Sequence, residues 1–281
     1  MEKLVKIKGR MSRGFKYPID RVRGVWRDSV LRDLGERSPI FVLGTQKTGS
    51  TAIAALLAEA TESTVTLDIT RSISDTCWQI ATKYQLQDFS EFALKYRKEF
   101  TRDIVKEPAL TYFYNDLKVV FPRARYIMIQ RHPLENIRSI LNRLKIPGNL
   151  PEISFDDWPA LIDTPVWRLA LNSSWLGRES FNYVEALAQR WVIASEIYLA
   201  EPHSFTLIKY EDFLEGKVSR ITQLAEAMDL PVRNGIGDSV DKQYQPKGTV
   251  VDSRVFFGEE NLRVISRICE PVACRFGYEF P

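Results

Sequence analysis

The run Gly44-Thr45-Gln46-Lys47-Thr48-Gly49-Ser50-Thr51 combines glycine, hydroxyl and lysine residues in a pattern suited to holding an anion. Glycines bound the loop, and the Ala- and Leu-rich stretch from Ala52 to Ala60 is a good helix former. A loop that feeds a helix N-terminus presents free backbone N–H groups and the positive end of the helix dipole, which suits phosphate. A second candidate lies at Arg131-His132-Pro133, with Ser139 further along the same helix. Ile137, Leu141 and Leu144 form that helix's apolar stripe. Ser139 lies off the stripe, where Arg131 can converge with it on a second phosphate. Asp68, Lys106 and Glu107 add two carboxylates and a cation at the ends of short strands. A carboxylate desolvated there becomes a stronger base. From the residues alone, these stretches describe a nucleotide site for two phosphates.

Strands must carry each stretch to a common edge. Ile40 to Leu43 and Ala124 to Gln130 read as buried strands, and Thr64 to Thr70, Asp103 to Lys106 and Ser204 to Lys209 as further ones. Helices are expected over residues 75–101, 111–120, 134–144, 182–199, 212–228 and 259–276. The alternation predicts an α/β fold with a P-loop-like central parallel sheet, helices on both faces and ligands at the strand C-terminal ends. Residues 39–281 are expected to form a single α/β domain. Residues 1–38 read as a basic N-terminal arm with a short helix from Val25 to Leu34. The Pro- and Trp-rich excursion over 145–180, with Trp158, Trp167 and Trp175, is expected to be a lid or substrate wall.

Composition narrows the classes. A net charge of +3 over 281 residues argues against a nucleic-acid partner. No apolar run is long enough for a transmembrane segment, and the basic first residues lack the apolar core of a signal peptide. A cytoplasmic location follows as an expectation, with peripheral membrane contact through residues 1–33 left open. Three cysteines without ligand spacing and only two histidines leave little for a zinc site or a Ser–His–Asp triad.

The loop departs from the nucleotide P-loop, G-x-x-x-x-G-K-[ST], because Ser50 stands at the lysine position and Lys47 sits three residues earlier. K-x-G-[ST]-[ST] after a buried strand resembles the phosphosulfate loop of sulfotransferases. Arg-x-Pro, helix, Ser resembles their 3′-phosphate site. The resemblance implies the donor 3′-phosphoadenosine-5′-phosphosulfate (PAPS), with 3′,5′-adenosine bisphosphate as product and no metal. Lys47, Thr48, Gly49, Ser50 and Thr51 would hold the phosphosulfate, and Arg131 and Ser139 the 3′-phosphate. Lys247 and Gly248 match in part the late Arg-Lys-Gly loop of cytosolic members, with Pro246 in place of the arginine.

The H-x-x-G histidine that serves cytosolic members as base has no counterpart here. The glycan-type members, which use a carboxylate, are the better match. They imply Asp68 as base with Glu107 second, Lys106 as a second clamp on the transferring group and Lys47 on the leaving phosphate. The stretches Phe205 to Leu214 and Phe276-Gly277-Tyr278 extend the resemblance without adding chemistry. The acceptor would be a hydroxyl of a sugar, lipid or small molecule, walled by Trp78 and residues 145–180. Two alternatives stay open: a P-loop kinase using Mg-ATP, and a non-catalytic nucleotide-binding or interaction protein.

Overall fold

Ile40-Phe41-Val42-Leu43 forms the centre of the sheet because all four side chains are apolar and both pleat faces meet a packed layer. The computed structural model describes residues 16–73, 75, 78–244 and 251–281. Strand β1 (Ile40–Gly44) lies between β3 (Ile104–Lys106) and β4 (Arg125–Gln130). The outer strands are β2 (Val65–Leu67) and β5 (Phe205–Lys209), giving the order β2-β3-β1-β4-β5 with every pair parallel. The chain leaves β1 toward β2 and leaves β4 toward β5, so the connections diverge between β1 and β4. An open parallel sheet binds ligands at such a divergence.

The period-2 alternation of β1 divides the core. Ile40 and Val42, together with Ile127, Ile129 and Ile208, pack with residues of α2 (Ser50–Thr61) and α11 (Lys217–Ala227). Phe41 and Leu43 face an aromatic layer that includes Phe92, Phe100, Phe113 and Phe121, with Phe41 and Phe121 edge to face at 5.2 Å. A third cluster joins α7 (Pro133–Leu144), α9 (Tyr183–Ala200) and α12 (Ser253–Ala273) to the 145–180 excursion. Helix α1 (Lys16–Glu36) is longer than the expected Val25 to Leu34 and sets a fully buried Leu34 against the aromatic layer. Residues 1–15 lie outside the described residues.

Several boundaries differ from the sequence expectation for local reasons. The strand expected over 64–70 stops after Leu67 because Asp68 turns left-handed, at φ 72°. The helix expected over 75–101 divides into α3 (Trp78–Lys83), α4 (Phe89–Lys95) and α5 (Arg97–Phe100). Asp88 opens α4 by accepting the Ser90 N–H. The helix expected over 111–120 begins as a 3₁₀ segment, Pro108–Phe113, and becomes α6 at Tyr114–Val120. Gly216 splits the 212–228 helix into α10 (Tyr210–Glu215) and α11. The last helix starts earlier than expected, at Ser253, and is broken at Gly258, where φ is 69°.

The excursion is anchored along its length, with one short helix, α8 (Pro159–Asp163), and several 3₁₀ turns. Asn261 Nδ2 donates to Gly148 O at 2.7 Å and Leu150 O at 2.9 Å, and Tyr183 Oη donates to Pro147 O at 2.6 Å. Leu161 is fully buried, and Trp175 stacks on Phe113.

Candidate active site

Every strand sends its C-terminal end to one cavity of roughly 1050 Å³. Behind β1 come Lys47, Gly49, Ser50 and Thr51; behind β2, Asp68; at β3, Lys106 and Glu107; behind β4, Arg131; and behind β5, Tyr210. Ser139 on α7 lines the same space. Thr48 does not: its buried hydroxyl donates to Thr45 O at 2.9 Å and closes the loop on itself. Lys247 and Gly248 lie outside the described residues.

The loop after β1 takes its shape from close packing. Thr111 Oγ1 accepts the Gly44 N–H at 2.8 Å and donates to Gly44 O at 2.9 Å, pinning the strand end. Gly49 caps α2 at φ 87° with no side-chain hydrogen bond to the helix's first amides, which leaves those donors for an anion. A Cβ at Gly49 would sit 2.3 Å from Tyr210 Cε2. The same Tyr210 ring carries the Arg131 guanidinium on its face, 4.6 Å from the centroid. Gly49→Ala should therefore cost roughly 1–3 kcal/mol of stability from the backbone conformation alone. It should also weaken phosphate binding more than tenfold by displacing Tyr210 and Arg131, to be read by thermal denaturation beside calorimetric titration.

Helix α7 and the residues before it tie the second candidate anion locus to the first. Arg131 Nη1 donates to Lys47 O at 2.9 Å. Asn136, buried in the first turn, accepts from Thr45 Oγ1 at 2.9 Å and donates from Nδ2 to Gln46 O at 2.7 Å. Glu211 holds the corner below, accepting the His132 N–H at 2.9 Å and the Tyr278 hydroxyl at 2.9 Å. The imidazole of His132 hydrogen-bonds Glu279 O at 2.9 Å and packs against Tyr278 and Phe280, a structural position.

Charge in the cavity is predominantly positive. Burial first, and then Arg143, Arg131 and Lys106, push the Lys47 ammonium down to about 8. Lys106, buried at the end of β3, donates to Asp68 Oδ1 at 2.5 Å. Asp68 Oδ2 takes no hydrogen bond among the described residues, and a third of the side chain is open to the cavity. Asp68 and Lys47, at φ 72° and 67°, both hold left-handed backbone conformations that favour glycine. Glu107 is differently placed. Its Oε1 accepts the Ala109 N–H at 3.1 Å and its Oε2 the Ile69 N–H at 3.1 Å, which opens the 3₁₀ turn and secures the Asp68 corner. Burial and the Asp68 charge push its carboxyl pKa up, against Lys106 and those two amides.

Other expectations shift. Trp78 does not wall the cavity; it is buried and stacked on Phe92 at 3.9 Å. Of the three excursion tryptophans, only Trp167 lines the space, beside Thr164, Val166, Leu169 and Ala170. Sequence reading missed Arg143, one helical turn past Ser139 and legible from i, i+4 spacing. It also missed Arg190, which no local signal marks, and the contact of Tyr210 with Gly49, which needs the folded sheet. Among the described residues, no helix is long and apolar enough to cross a membrane.

No protein family's profile and no curated protein sequence matches this chain. Solved structures do match. The sulfotransferase STF9 from Mycobacterium avium superimposes with a TM-score of 0.53 at 14% identity, over 92% of this chain and 82% of that one. The sulfotransferase domain from the curacin biosynthetic pathway matches at 17% identity and TM-score 0.48, over 87% of this chain and 99% of that one. Mouse sulfotransferase SULT7A1 complexed with PAP matches at 15% identity and TM-score 0.48, over 90% of this chain and 94% of that one. The architecture shared with STF9, a five-stranded parallel sheet flanked by helices, is the sulfotransferase fold.

Proposed function

We propose that this chain, built on the sulfotransferase fold, moves a sulfuryl group from PAPS to a hydroxyl of an acceptor. The observation that best supports this is the pairing of two anion-suited loci at adjacent strand ends. One is the uncapped start of α2 with Lys47 in the loop before it, and the other is Arg131 with Ser139, tied to the first through Lys47 O. A kinase would need its lysine at the helix start, where this chain has Ser50.

The donor, when bound, supplies a sulfuryl group already activated by a phosphate leaving group. Lys47, Gly49, Ser50 and Thr51 would hold the 5′ end, with Thr48 contributing backbone only. Arg131 and Ser139 would hold the 3′-phosphate, with Lys247 and Gly248 as further candidates. Lys47 meets the charge that develops on the leaving phosphate. Lys106 faces the transferring group and orients Asp68 through their 2.5 Å contact. Asp68 takes the acceptor's proton on its open Oδ2, since an alcohol's own pKa lies far above neutral. Glu107, with both oxygens on backbone amides, braces this corner.

Calorimetric titration with 3′,5′-adenosine bisphosphate in the absence of metal tests the reading, beside AMP and Mg-ATP. Micromolar binding of the bisphosphate, weak AMP binding and loss in Arg131→Ala are expected. Tight Mg-ATP binding that ignores the 3′-phosphate would overturn it. Affinity should also fall as pH rises above about 8, by up to about tenfold per unit. Above that pH, Lys47 is neutral in the empty cavity and an incoming anion must bring a proton with it. Heats measured in buffers of different ionisation enthalpy would show the proton uptake. Glu107→Gln should lower stability by about 1–2 kcal/mol while leaving turnover within a few-fold of the parent.

A further inference from the structure

Three cations are buried in the described chain: Lys106, Arg138 and Arg190. Lys106 has Asp68 and Arg138 has Glu135. Arg190, 3% exposed, has no carboxylate within ion-pair distance among the described residues. Burying a charge without a counter-charge is costly unless something else compensates. Burial indeed lowers the guanidinium's pKa.

Its surroundings show which way the charge faces. Arg190 projects from α9 over the rings of Tyr112 and Trp175, which are edge to face with each other, at centroid distances of 4.5 and 5.7 Å. Nη1 donates to Leu169 O at 3.1 Å, on the excursion, and Nη2 reaches Gln46 Oε1 at a long 3.4 Å. The Leu169 carbonyl also takes the Trp175 indole N–H at 3.0 Å. These neutral contacts use two of the five N–H donors of the fork. The residue still lines the cavity, beside Leu169 of the excursion and Gln46 of the loop after β1.

We infer that Arg190 is an oxyanion subsite for the acceptor, so that the preferred acceptor carries its own carboxylate, sulfate or phosphate besides the hydroxyl. The inference rests on the sulfuryl-transfer reading. Lys47 and Lys106 are already assigned to the transferring group, and Arg190 spans from the donor loop at Gln46 to the excursion at Leu169, where an acceptor would lie beside the donor. A planar fork held over two aromatic rings and by the Leu169 carbonyl is preorganised to grip an oxyanion in bidentate fashion, which a neutral acceptor cannot exploit.

The test uses the full chain saturated with 3′,5′-adenosine bisphosphate and a panel of hydroxyl compounds in matched acid and amide pairs. Glucuronate with glucuronamide and 4-(hydroxymethyl)benzoate with its amide are two such pairs. Calorimetry should show the acids binding about tenfold or more tightly than the amides. Arg190→Gln should erase that preference, Arg190→Lys should keep part of it, and bisphosphate affinity should stay unchanged in both. No acid preference anywhere in the panel would overturn the inference. So would equal losses for acid and amide in Arg190→Gln, which would mark a purely structural arginine. Inorganic sulfate is titrated in parallel. If Arg190→Gln weakens sulfate but leaves the acid-to-amide ratio intact, the guanidinium serves the transferring group and the acceptor assignment falls. Should Arg190→Gln fail to fold, the parent pairs and Arg190→Lys still decide. Failure of the bisphosphate itself to bind would strike the sulfuryl-transfer reading instead.

Discussion

Lys47→Met is expected to lower turnover by about 10²–10³-fold, the usual cost of deleting one preorganised group that meets developing charge. Methionine keeps the apolar stem and removes only the ammonium. The charge matters because the site holds it at a disadvantage before substrate arrives: burial and three neighbouring cations push its pKa down to about 8. A lysine with a lowered folded pKa costs stability below that pKa, and the cost vanishes as pH rises past the unfolded value of 10.5. At pH 7 the melting temperature of the empty Lys47→Met protein should therefore not fall, although its turnover collapses. Thermal denaturation beside single-turnover transfer of labelled sulfate from PAPS checks both halves. A variant that lost stability and activity in proportion would reduce Lys47 to a packing residue.

Asp68→Asn is the second large effect, about 10²–10⁴-fold in turnover, the range for loss of a general base. Asparagine tolerates the left-handed backbone at φ 72° and can still accept the Lys106 hydrogen bond through its amide oxygen, so the fold should persist. What it cannot do is take a proton on the second oxygen. Bisphosphate affinity should be nearly unchanged, which separates this loss from that of Arg131→Ala. Comparison with Glu107→Gln identifies the base: a large loss at residue 107 and a small one at 68 would reverse the assignment. The geometry favours Asp68 because both Glu107 oxygens are already committed to backbone amides.

The strands and the loops behind them were legible because their signals are local. Ile40 to Leu43 and Tyr126 to Ile129 are continuous apolar runs, and Gly49 before an Ala-rich stretch marks a helix entry without reference to anything distant. Off-stripe placement of Ser139 follows from helical periodicity alone, and the serine does line the cavity. Boundaries were less legible where a single backbone conformation decides them, as at Asp68, Gly216 and Gly258. Thr48 reads as one more hydroxyl in an anion loop, and only the folded turn reveals that its oxygen points back to Thr45. Trp78 has a composition suited to a ligand wall, yet its neighbours in three dimensions are Phe92 and Phe113.

By itself the sequence determined the α/β alternation, the anion loop with its displaced lysine, and the Arg131–Ser139 spacing, because each depends on residues within a turn or two of one another. Tertiary structure decided the rest. It set Tyr210 between Gly49 and Arg131, spent both Glu107 oxygens on backbone amides, and buried Arg190 beside Leu169 of the excursion. The longest of those contacts, Gly49 with Tyr210, joins residues 161 positions apart, and distances across a sheet are set by strand order and register, which no local pattern encodes.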